Sequence, residues 1–124
     1  MSVDRMARLD SLLRRVIADE MRHAMQGDTV DPGLITVTAV HTGRDLRDAT
    51  VSVSVFGDAA LKARAIERLR RNARKFQKAI NEQVRMKFTP KLLFKLDESL
   101  ERGDAVLAIL DSLPRQESTD AAAE

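Results

Sequence analysis

The chain has no cysteine, no tryptophan and no tyrosine, and its 124 residues include only four phenylalanines, three prolines and five glycines. Without cysteine there can be no disulfide staple, thiolate metal site or thiol nucleophile, and a reducing compartment is the natural fit. Among Gly27, Gly33, Gly43, Gly57 and Gly103, no two have the spacing of a phosphate-binding loop, so nucleotide hydrolysis has no support. His23 and His41 fall on different predicted elements with no partner at metal-ligand spacing, and read as surface or strand-end residues. No serine sits in a nucleophile elbow. Asp45 and Asp48, the one imaginable carboxylate pair, lie where turn-forming aspartates are expected. The reading is therefore not an enzyme, with no catalytic residue, metal or cofactor. Long apolar runs are also missing, so no stretch has the length of a membrane span. No apolar run follows Met1-Ser2-Val3-Asp4-Arg5, as a secretory signal would require. A soluble, cytoplasmic protein is expected.

A hydrophobic share of 44% in a chain of this length supports one core and one domain. From Asp4 to Met25, Leu9, Leu12, Leu13, Val16, Ile17, Met21 and Ala24 recur at three- and four-residue spacing, which predicts an amphipathic helix with Asp4 as its N-cap. Two strands are expected next, over Leu34 to His41 and Thr50 to Phe56. The second alternates Val51, Val53 and Val55 with Thr50, Ser52 and Ser54, giving one buried and one polar face. The intervening Thr42 to Ala49, with Gly43, Asp45 and Asp48, suits an antiparallel hairpin.

Asp58 is placed to cap a helical run to about Met86, with Ile66, Leu69, Ala73, Phe76, Ile80 and Val84 as its apolar stripe. That run is long for so small a domain, and a break is expected at Asn72-Ala73, because asparagine favours caps and turns. Thr89-Pro90 forces an extended path into a third strand, about Leu92 to Leu96. Asp97 and Ser99 can cap a last helix carrying Leu100, Val106, Leu107, Ile109 and Leu110, which Pro114 stops. The fold class is α+β: helix-strand-strand-helix-helix-strand with a C-terminal helix, and a three-stranded sheet covered by helices on one face. Residues 1–113 are expected to form the domain and 114–124 a disordered tail.

The formal charge is only +2, but it is polarised. Residues 1–60 carry about −2, residues 61–95 about +10 and residues 96–124 about −6, the pattern of a chain that presents a basic surface to a polyanion. On a straight-helix projection Arg64, Arg68, Arg71, Arg74, Lys75, Lys78 and Arg85 gather opposite the apolar stripe, and Lys87, Lys91 and Lys95 extend the charge into the third strand. Like charges at neighbouring helical positions repel, and only Glu67 and Glu82 relieve them locally. A polyanionic partner would account for that tolerance. With no aromatic platform for stacking single-stranded bases, recognition should rest on phosphates, riboses and shape, which suits structured RNA. The alternative is a protein-interaction module whose basic helices dock an acidic partner. A membrane surface is disfavoured, because the basic face lacks a flanking apolar strip.

Several stretches resemble the ribosome-binding factor A family, over about Arg5 to Leu113. The helix from Arg5-Met6-Ala7-Arg8-Leu9 to Asp19-Glu20 and the strand from Asp31-Pro32 to Val40 are similar to the family's first two elements. Asp45-Leu46-Arg47-Asp48-Ala49-Thr50-Val51 resembles its Asp-Leu-x-x-Ala-x-Val signature. The most specific piece is Arg85-Met86-Lys87-Phe88-Thr89-Pro90-Lys91-Leu92-Leu93-Phe94-Lys95-Leu96-Asp97-Glu98-Ser99, similar to the family's Arg-x-x-x-x-Pro-x-Leu-x-Phe-x-x-Asp-x-Ser run. The resemblance implies a type II KH-like RNA-binding domain. In this family an Ala-x-Gly kink replaces the usual Gly-x-x-Gly loop; here the corresponding residues are Ala73-Arg74-Lys75, with a lysine in place of the glycine. It further implies a non-catalytic factor that binds immature small ribosomal subunits and promotes rRNA maturation. Its partners would be the small subunit and its rRNA, with an assembly GTPase as candidate companion, and it would act as a monomer. The expected RNA-binding set is Arg64, Arg68, Arg71, Asn72, Ala73, Arg74, Lys75, Lys78, Arg85, Lys87, Lys91 and Lys95.

Overall fold

In the computed structural model, which describes residues 3–99, Leu13, Val16, Ile17, Met21 and Ala24 form the buried face of helix α1 (Val3–Ala24). Asp4 lies inside the first turn of this helix rather than capping it. There its charge still complements the positive end of the helix dipole. After α1 a single 3-10 turn, Pro32–Leu34, turns the chain toward the sheet. It was not anticipated, although its signal is local: the Asp31 carboxylate accepts from the Gly33 amide at 2.8 Å and Pro32 fixes the first position.

Strands β1 (Ile35–Thr42) and β2 (Asp48–Val55) pair antiparallel, with a bulge between Val37 and Ala39. The Asp45 carboxylate accepts from the Arg47 amide at 3.0 Å in the connecting turn, the Asx geometry expected of it, whereas Asp48 already belongs to β2. Helix α2 (Ala59–Arg71) starts where the Asp58 carboxylate accepts from the Leu61 amide at 2.8 Å. Helix α3 (Ala73–Gln83) follows after the single residue Asn72, so the break stands where asparagine was expected to place it. Strand β3 (Lys91–Leu96) then returns parallel to β2, giving the sheet order β1-β2-β3. This order and pairing are those of the type II KH-like fold.

The helices cover one face of the sheet. Val51, Val53 and Val55 of β2 and Leu92 and Phe94 of β3 are buried beneath them, as the period of two requires. Helix α1 packs on β1 and α3, and α2 packs on β3. Thr36, His41, Leu93 and Lys95 lie exposed on the opposite face. Phe76 of α3 meets Phe94 of β3 with ring centroids 5.7 Å apart and planes tilted by 56°, an arrangement that adds to burial alone. Two side chains fasten the periphery. The Asp10 carboxylate accepts from the amide and hydroxyl of Thr42 at 3.0 and 2.8 Å, tying α1 to the end of β1. The Thr38 hydroxyl donates to Asp97 at 2.7 Å, tying the bulge of β1 to the chain just past β3. Asp97 also accepts from the Ser99 amide at 2.9 Å. The expected last helix, the domain end at 113 and the tail over 114–124 lie outside the described residues.

Ile80 is fully buried between α3 and its neighbours. Replacing it with alanine should lower the unfolding free energy by about 2–5 kcal/mol, read from the midpoint of a denaturant titration.

Candidate nucleic-acid interface

The α2–α3 junction organises the basic region. Asn72 has φ −97° and ψ 10°, and its amide still reaches the carbonyls of Arg68 and Leu69 at 3.0 and 3.1 Å, while its carbonyl accepts from the Lys75 amide at 3.0 Å. The chain therefore bends without orphaning its backbone groups. Leu46 is the only non-glycine residue with positive φ among those described, so no left-handed residue is needed at Lys75 and a lysine fits there.

The bend is fixed from outside by Asp28, whose side chain is 5% exposed. Its oxygens accept from Arg68 Nε at 2.9 and 3.0 Å, from Asn72 Nδ2 at 3.0 Å and from the amides of Thr29 and Val30 at 2.7 and 3.4 Å. Burial alone would raise the pKa of this carboxyl; the hydrogen bonds from Asn72, Arg68, Thr29 and Val30 outweigh it and hold the pKa at about 2. Lys75 Nζ donates to the Ala24 carbonyl at 3.2 Å, satisfying one of the open acceptors at the end of α1. Arg68, Asn72 and Lys75, all expected at the RNA surface, thus make internal contacts that shape the bend.

Beside the bend a groove of about 470 Å³ runs between the α2–α3 junction and β3. It brings together Arg71, Ala73, Arg74 and Lys91 from the expected set, and adds Arg70. Arg70 lies four residues after Ile66 and projects beside the apolar stripe, so a helical projection hides it; only its place in the last turn before Asn72 hints that it faces outward. Gln77 Nε2 donates to the Pro90 carbonyl at 2.9 Å and fastens α3 to the chain just before β3. Among the described residues β3 pairs only with β2, so its other edge offers backbone donors and acceptors along the groove. Arg71 shares a 3.4 Å ion pair with Glu67. Arg70, Arg74 and Lys91 are exposed and have no carboxylate partner among the described residues. The groove therefore combines uncompensated cations with backbone polar groups, a surface that can take phosphates and the edges of bases.

The remaining expected residues spread out from there. Lys78 lines an adjoining cleft of about 350 Å³ with Arg74, Gln77, Asn81 and Thr89. Arg85 and Lys87 line a third cavity, next to Phe88. Lys95 lies on the open face of the sheet opposite Ser52 in register, and Arg64 is exposed on α2 outside all three hollows. The expectation of no aromatic surface needs amending, because Phe56 is 78% and Phe88 45% exposed. His23 and His41 are exposed, each beside one carboxylate. Among the described residues no group of acids and histidines could hold a metal ion, and no helix is long and apolar enough to cross a membrane.

Comparison with known proteins adds an independent line. The family model described as ribosome-binding factor A matches residues 5–110. A ribosome-binding factor A from Synechocystis is 33% identical over 116 residues, covering 94% of this chain and 87% of the relative. The crystal structure of ribosome-binding factor A from Thermus thermophilus is similar at 28% identity and a TM-score of 0.63, covering 73% of this chain and 94% of that one. A homology model of the Thermus thermophilus factor, fitted into a cryo-EM map of its complex with the 30S subunit, is similar at 28% identity and a TM-score of 0.54, covering 72% of this chain and 91% of that one.

Asp28→Asn should cost about 2 kcal/mol of stability, since it removes the charge on which Arg68 and Asn72 converge. The carboxyl is more acidic folded than unfolded. Its stabilisation is thus present above about pH 4 and lost as the pH falls toward 2. Asp97, held at about 2 chiefly by hydrogen bonds from Ser99 and Thr38, titrates in the same window, so an acid-unfolding series should show the variant's pH dependence reduced but not abolished.

Proposed function

The chain belongs to the ribosome-binding factor A family, and on that footing we propose that it is a non-catalytic RNA-binding factor of small-subunit biogenesis. It binds immature small ribosomal subunits in the cytoplasm, as a monomer, and promotes maturation of their 16S rRNA; an assembly GTPase is its candidate companion. The observation that carries this reading is the groove beside the α2–α3 bend, where Arg70, Arg74 and Lys91 stand without carboxylate partners among the described residues. The complex of the Thermus thermophilus factor with the 30S subunit supports the choice of target.

The mechanism is one of positioning. Arg70, Arg71, Arg74 and Lys91 neutralise phosphates of a folded rRNA segment, and the counterions this releases from the RNA into solvent supply much of the affinity. The bend sets these cations against the free edge of β3, so a backbone lying along the groove meets charge on one side and peptide groups on the other. Binding then favours the rRNA conformation that fits, which is how a protein without catalytic groups can bias a maturation pathway.

Sedimentation of lysate through sucrose gradients at low and high salt tests the reading. The chain should travel with free small subunits at low salt and leave them at high salt. Arg70→Glu with Arg74→Glu should shift it to the top of the gradient even at low salt, and lower the salt slope of binding by about one unit for each phosphate no longer neutralised. Both side chains are exposed, so the double variant should keep the wild-type unfolding midpoint. A wild-type chain that stays at the top at low salt would overturn the proposal.

A further inference from the structure

The third cavity, of about 440 Å³, lies at the other end of the basic path. Leu9, Leu46, Met86 and Phe88 supply its apolar lining, and Arg5, Arg85 and Lys87 stand around them with a single carboxylate, Asp45. The Arg47 guanidinium lies 4.6 Å from the centroid of the Phe88 ring and Lys87 Nζ lies 5.5 Å from it, both within cation–π range. Phe88 is nevertheless 45% exposed as a residue.

Leu46 is in the left-handed region, with φ 60°, a conformation that suits glycine or asparagine and costs a leucine free energy. The turn holds it there: its amide donates to the Gly43 carbonyl at 2.9 Å, while the Asp45 carboxylate takes the Arg47 amide. What leucine supplies that glycine or asparagine would not is an apolar wall for the cavity. An apolar slot with an exposed ring, rimmed by cations, suits a flat ligand tethered to negative charge.

The cavity also connects to the groove. Thr89, next to Phe88, lines the cleft that contains Arg74 and Lys78. The Lys91 amide donates to the Arg47 carbonyl at 2.9 Å, so the residue stacked on Phe88 and the cation of the groove are fastened together. Resting on the RNA-binding reading above, we propose that this cavity is a stacking subsite for one unpaired nucleobase. The base lies against Phe88 and Arg47, and its flanking phosphates run over Arg85 and Lys87 toward Lys78 and Arg74. An aromatic side chain of an acidic peptide shares part of this chemistry, but the cations that line this cavity, the neighbouring cleft and the groove, with the Arg47–Phe88 stack, favour a nucleic acid strand.

The test uses the full chain and two short single-stranded RNAs of equal length: an oligoadenylate with one 2-aminopurine, and a strand with the same backbone and no bases. The base-bearing strand should bind about tenfold tighter, the worth of one aromatic–base stack, and the 2-aminopurine should be quenched. Phe88→Leu should erase both the margin and the quenching while leaving the salt slope unchanged. Lys87→Gln should lower the slope and leave the quenching. Equal binding of the two strands by the wild type, or an unaltered margin in Phe88→Leu, would overturn the subsite and leave the RNA-binding reading intact. A peptide of alternating glutamate and phenylalanine that binds through Phe88, with no discrimination between strands, would overturn it in favour of an acidic protein. Failure to bind either strand, together with absence from small subunits in the gradients, would remove both readings.

Discussion

Everything that makes the basic region a surface with a shape depends on the carboxylate of Asp28. It sits in the connection between α1 and β1, yet its hydrogen-bond partners are Arg68 and Asn72, on either side of the last turn of α2. A buried carboxylate is tolerable only when its oxygens are satisfied, and here two side chains and two backbone amides do so. Arg68 lies in the last turn of α2 and Asn72 is the bend residue itself, so satisfying the charge pins the end of α2 and the bend residue to the α1–β1 connection. Lys75 adds a second link from the first turn of α3 to the end of α1. The bend is thus tied at Arg68 and Asn72 to Asp28, and at Lys75 to the end of α1.

Seen from this junction, the basic residues divide into two groups. Arg68 and Lys75 make local internal contacts, whereas Arg70, Arg74 and Lys91 are exposed with no carboxylate partner among the described residues. A helical wheel cannot make this division, because it treats every cation on the polar face alike. The distinction is set by where Asp28 and the Ala24 carbonyl lie in space, and neither belongs to the helix being projected.

The same reasoning explains what was legible in the sequence. The strand pairing of β1 and β2, the break at Asn72 and the cap at Asp58 follow from alternation and local side-chain chemistry, and each stands where its residues placed it. The core was legible too, since Phe76, Ile80 and the valines of β2 lie on the stripes that periodicity marks. The 3-10 turn at Pro32 rests on the Asp31 cap and the proline ring, local signals that no hydrophobic period marks. Arg70 was missed because its neighbourhood is defined by β3, a strand that follows it at a distance along the chain. Phe88 lies between α3 and β3, where no hydrophobic period marks a face, and its contact with Arg47 joins segments far apart in the chain. Local chemistry could be read from the sequence; encounters between distant segments could not.

β3 is parallel to β2 and, among the described residues, pairs with no other strand. Every residue that lines the groove lies between Arg70 and Phe94, so the site looks at first like a portable cassette of two short helices and a strand. It is not one. The strand that forms the far wall takes its position from Asp48 to Val53, which precede both helices. An excised segment from α2 to β3 would carry every groove residue and lack the ladder that holds them opposite one another. The groove is therefore not modular: grafting it onto another protein would require a host that supplies the equivalent of β2.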